Sequence, residues 1–143
     1  MDVVTRYDEW GAGMSETEKI TINLGLVDLG QIDLLVQEGF YSNRTDFIRT
    51  AIRNQLATHA EEVKQTVARK TLVFGLEHYA RRDLEAVREA GETLEIRVLG
   101  LASIDDDVSP DLARETISSL VVLGALRASP PVKAALKDRI QSS

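Results

Sequence analysis

The sequence predicts an α+β protein: a short strand and two helices near the N-terminus, then a small α/β module of about three strand–helix units. Three observations carry this expectation. Lys19-Ile20-Thr21-Ile22-Asn23-Leu24 alternates polar and apolar residues, the period of a half-buried strand. Two stretches of helical spacing follow, joined by Glu38-Gly39-Phe40-Tyr41-Ser42-Asn43-Arg44. Beyond them an apolar run broken by one glycine occurs three times, each time ahead of a helical stretch.

The strand cannot be stable alone, because it has one apolar face, Ile20, Ile22 and Leu24, and a fully exposed edge. Two chains pairing their strands into an antiparallel ribbon would solve this, with the helices covering the apolar face. Lys19, Thr21 and Asn23 would then project from the other side, and a two-stranded ribbon fits the DNA major groove. Asp28, with Gln31 three residues on, has the spacing of a capping box for the first helix. Leu29, Ile32, Leu35 and Val36 form its apolar stripe, and Gly39 offers a left-handed end. Ser42 or Asn43 is positioned to cap the second helix, where Phe47, Ile48, Ala51, Ile52 and Leu56 recur at helical spacing. Arg49 and Arg53, four apart, share one face, and the pattern fades near Arg69.

Leu72-Val73-Phe74-Gly75-Leu76, Arg97-Val98-Leu99-Gly100-Leu101 and Val121-Val122-Leu123-Gly124-Ala125 share one pattern, their glycines 25 and 24 residues apart. Asp83 is expected to open a helix over Leu84–Ala90, Ser109-Pro110-Asp111 one over Leu112–Ile117, and Ser129-Pro130-Pro131 one over Val132–Ile140. Strands separated by helices pair in parallel. A period in the twenties suits a solenoid-like repeat; the plain alternative is a non-repeating three-stranded module. The expected organisation is a flexible segment over 1–18 (with Met14 as an alternative start), a domain over 19–58, a helical linker over 59–70 and the α/β module over 71–141.

With 143 residues, 43% hydrophobic and 28% charged, the composition is that of a globular protein. No run reaches membrane-span length, no leader suggests export, and there is no cysteine, which fits a cytoplasmic location. A net charge of −6 disfavours a generic nucleic-acid binder but leaves room for a reader that presents a few cations locally. There is no nucleophile elbow, P-loop or GxGxxG after a strand, so no enzymatic activity and no cofactor are expected. His59 and His78, without cysteine, make a poor metal site, and Asp105-Asp106-Asp107 reads as a solvated loop.

Taken together, the strand, Ile32-Asp33 with Leu35-Val36, Gly39-Phe40-Tyr41, Ser42 through Arg49 and Ala51-Ile52-Arg53 resemble a ribbon-helix-helix DNA-binding domain of the CopG type. The resemblance covers residues 19–56. It implies an intertwined homodimer whose core holds Ile20, Ile22, Leu24, Ile32, Leu35, Phe47, Ile48 and Ile52. It also implies that Lys19, Thr21 and Asn23 contact base edges of double-stranded DNA, and that Ser42, Asn43, Arg44 and Thr45 form a phosphate clamp. Lysine suits guanine and asparagine adenine, while free N–H groups at a helix start suit phosphate. The chain departs from the pattern in carrying Glu16 and Glu18 where many members have a more basic arm.

The resulting expectation is a transcriptional repressor that binds a palindromic operator as a dimer, with residues 71–141 building a tetramer or larger assembly, binding a ligand, or both. One competing reading is an antitoxin-like autorepressor that captures a toxin protein. Another is a self-assembling scaffold that uses the ribbon only to dimerise. The plain alternative for Lys19, Thr21 and Asn23 is an ordinary solvent-facing strand.

Overall fold

A computed structural model describes residues 17–141. The expectations of a flexible leader and of Met14 as a start concern residues almost all outside that range. The protein mixes helix and strand in the order α1 (Leu26–Gln37), α2 (Arg44–Thr58), α3 (Ala60–Arg69), β1 (Val73–Tyr79), α4 (Arg81–Glu89), β2 (Leu94–Ile104), α5 (Pro110–Thr116), β3 (Ile117–Arg127) and α6 (Pro130–Ala135), closing with a 3-10 turn over Lys137–Arg139. It divides into two compact units, one from Thr17 to Thr66 and one from Val67 onward.

In the first unit, residues 18–25 run exposed into α1, and no strand is formed within them. The α1 helix starts two residues before the expected Asp28, with Gly25 as its N-cap and Asp28 inside its first turn. Asp28 therefore acts on the positive end of the helix dipole and makes no side-chain cap. The other end follows the sequence: Gly39 takes φ +84°, and the N–H groups of Gly39 and Phe40 reach back to the carbonyls of Val36 and Leu35 at 3.1 and 3.0 Å. His59 caps α2 at its C-terminus, so that α2 and α3 are separate helices.

The second unit is a three-stranded parallel sheet in the order β1-β2-β3. Its core lies on one face, where Ile96, Val98, Ala102 and Ile104 of β2 and Leu120 of β3 meet Leu84 of α4, Leu112 and Ala113 of α5, and Val132 and Leu136 at the end of the chain. The helix starts at α5 and α6 follow the expected serine–proline chemistry. Ser109 Oγ accepts from the Leu112 N–H at 3.1 Å and Ser129 Oγ from the Val132 N–H at 3.4 Å. Three expected boundaries shift. The α4 helix opens at Arg81, where Asp83 accepts from the Ala80 N–H at 2.9 Å from inside the first turn. Ile117 starts β3 instead of ending α5, and α6 stops at Ala135 where the backbone tightens into the 3-10 turn.

The three glycines stand side by side, Gly75 opposite Gly100 and Gly100 opposite Gly124. All have positive φ, at +127°, +140° and +119°. A Cβ on Gly100 would lie 2.1 Å from the Gly75 carbonyl oxygen, and one on Gly124 would lie 2.1 Å from that of Gly100. Neighbouring backbone fills the space a side chain would need, so only glycine fits the second and third positions.

Candidate nucleic-acid interface

Residues 17–25 expose both faces of the expected strand. Lys19, Thr21 and Asn23 are exposed, and so are Ile20 at 74% and Ile22 at 60%. Of the other residues expected in a dimer core, Ile32 is already buried within one chain. Leu35, Phe47 and Ile48 are partly buried, while Leu24 and Ile52 remain exposed. The chain thus prepares the inner layer of a core through the α1–α2 contact and leaves an outer apolar layer facing solvent.

The turn between α1 and α2 is tightly fixed. Asn43 caps α2, its Oδ1 accepting from the Asp46 N–H at 2.8 Å, and the Asp46 carboxylate accepts from the Ser42 N–H at 2.9 Å. Tyr41 stands edge-on to Phe47 with ring centroids 4.9 Å apart. Arg44 forks onto Asp33 of α1, Nε to Oδ1 at 2.7 Å and Nη2 to Oδ2 at 2.8 Å. The hydrogen bonds from Arg44 hold the Asp33 carboxyl below the usual aspartate range, against a smaller upward push from desolvation. The same pairing raises the Arg44 guanidinium.

These partners define what the expected phosphate clamp can offer. The Ser42 N–H and the Asn43 side chain are engaged, and two of the five Arg44 N–H donors face Asp33. The first amides of α2, on Arg44 and Thr45, lie ahead of the helix ladder, which begins with the Phe47 N–H donating to the Asn43 carbonyl at 3.2 Å. Asp33 and Asp46 are the residues sequence reasoning missed. Asp46 carried a signal, its position three residues after Asn43, the spacing at which a side chain reaches back over a helix start, whereas Asp33 carried none.

In the second unit, His78 Nε2 stands 3.0 Å from Asp105 Oδ1, and Asp107 lies 3.8 Å from Arg81. His78 and Asp105, with Ser103, Arg127 and Lys133, line a shallow cleft at the C-terminal ends of the strands. Among the described residues no group of three or more His, Asp or Glu side chains could hold a metal ion. No helix among them is long and apolar enough to cross a membrane.

The sequence matches the Ribbon-Helix-Helix transcriptional regulator family over residues 15–133. Neither the curated proteins nor the solved structures gave a match.

Proposed function

The chain belongs to the ribbon-helix-helix transcriptional regulator family, and from that premise we propose that it is a sequence-specific DNA-binding repressor. Two chains pair residues 19–24 into an antiparallel ribbon that enters the major groove of a palindromic operator. The observation that carries this reading is the exposure of Ile20, Ile22 and Ile52, apolar residues on a unit whose inner layer, around Ile32, is already closed. A second copy supplies the missing cover, and pairing leaves Lys19, Thr21 and Asn23 on the free face of the ribbon. Lys19 then donates to guanine, and Asn23 makes paired hydrogen bonds with adenine.

The amides that open α2, with the hydroxyls of Ser42 and Thr45, hold phosphate and set the register without reading sequence. Arg44 contributes through the N–H groups that Asp33 leaves uncovered. Asp46 and Asp33 keep this clamp from being strongly cationic, so non-specific affinity is low and discrimination rests on the ribbon. Residues 71–141 act as an assembly module. The glycine register and the serine–proline starts of α5 and α6 support reading it as a solenoid-like stack of three related strand–helix units.

Fluorescence anisotropy on the protein's own promoter DNA against a scrambled duplex, across a salt series, tests the reading. Preference for the promoter by tenfold or more is expected; equal binding to both duplexes at every salt concentration would count against it. The scaffold reading draws support from the exposure of Phe74 and Leu76 on the sheet of the second unit. It requires Asn23→Ala to leave function intact, whereas the repressor reading requires its loss.

A further inference from the structure

Helices α4, α5 and α6 cover only one face of the parallel sheet. The residues that alternate with the core face the other way and form two apolar rows: Phe74, Leu99 and Leu123 lie side by side, followed by Leu76, Leu101 and Ala125. Phe74 is 66% exposed and Leu76 43%. Parallel sheets are ordinarily covered on both faces, and an open apolar patch rimmed by polar residues marks a contact surface. Arg97 and the buried Val121 come directly before these rows, with Glu95 and Ser119 beyond them, and Ser103 and Arg127 follow.

We infer that this face packs against the same face of a second copy of the chain, joining two ribbon-linked dimers into a tetramer. The inference rests on the ribbon dimer proposed above. The size of the face selects the occupant. Three strands about 4.8 Å apart and some five residues of each give a footprint of roughly 14 by 17 Å. That is far short of the ~800 Å² per partner of a free-standing specific complex. A monovalent foreign partner would therefore bind weakly. A ribbon-linked dimer carries two such faces, so once one pair meets, the second closes intramolecularly, and avidity gains of about 10²–10⁴ become available. Leu99 lies on the central strand, in the first of the two rows, so a twofold axis near the centre of the face brings its two copies close together.

The test uses the full chain, which has no cysteine of its own. Light scattering at micromolar concentration should give a four-chain mass that falls to two chains in Phe74→Glu and in Leu123→Glu. Leu99→Cys should cross-link chains on mild oxidation, and adding Phe74→Glu should abolish the cross-link. Phe74 is exposed enough for its replacement to leave the core untouched, and unchanged circular dichroism checks this. A four-chain mass persisting in both glutamate variants would overturn the inference. A two-chain wild type would do so as well, with or without the cross-link. A one-chain mass in Phe74→Glu would instead overturn the ribbon dimer, which keeps the two failures apart.

Discussion

Asp33 and Arg44 join α1 to α2 through a two-pronged ion pair between exposed side chains, so its value lies in fixing geometry. The Asp33 carboxyl is held below the usual aspartate value in the folded chain, chiefly by the hydrogen bonds from Arg44. A lowered folded value means that the pair stabilises the fold above the unfolded value and is lost as pH falls through the folded one. Carboxyl NMR should therefore find Asp33 titrating below the usual aspartate range, and Arg44→Gln should return it toward that range. At Gly100, the Cβ of alanine would meet the Gly75 carbonyl at 2.1 Å in addition to the cost of positive φ, whereas a Cβ on Gly75 meets nothing within 4 Å. Gly75→Ala should cost about 1–2 kcal/mol and Gly100→Ala about 3 kcal/mol or more, as measured by urea unfolding. Equal costs would contradict the close backbone approach.

At the scale of elements, most of the architecture was legible because its signals are local. Gly39, Ser109-Pro110 and Ser129-Pro130 terminate or start helices through their own backbone and side-chain chemistry, and the structure uses all of them in that way. The misplaced boundaries share a cause. At α1 and α4 an aspartate was taken as the cap, yet each helix begins two residues earlier, at Leu26 and Arg81, after a residue with no capping side chain. The α1 start leaves no capping side chain in the sequence, whereas at α4 the mark is Asp83 itself, reaching back from the third helical position to the Ala80 N–H. The Asp33–Arg44 pair was illegible for another reason: the partners are eleven residues apart and meet only when α1 and α2 pack. The Asn43 cap was legible as one of two candidates, and Asn43→Ala should cost about 1 kcal/mol in thermal or chemical unfolding.

At the scale of the molecule, the two units differ in how they obtain a core. The sheet unit buries Leu84, Ile96, Ile117, Leu120 and Leu136 completely within one chain. The unit from Thr17 to Thr66 buries only Ile32 among its large apolar residues and leaves Ile20, Ile22, Leu26 and Val27 exposed. Its folding should be coupled to association, so calorimetry should show two transitions, with only the one assigned to this unit rising in temperature with protein concentration. Two transitions that are both independent of concentration would contradict a ribbon dimer.

Base reading by the ribbon is put to the test by the Lys19→Ala/Asn23→Ala protein. Its anisotropy-measured affinity for promoter and scrambled duplexes should be compared with that of the wild type at one salt concentration. Each good paired contact to a base is worth about 1–3 kcal/mol of discrimination. The double variant should keep its oligomeric mass and its weak binding to scrambled DNA, while preference for the promoter falls at least tenfold. A double variant that discriminates as well as the wild type would contradict base reading by the ribbon.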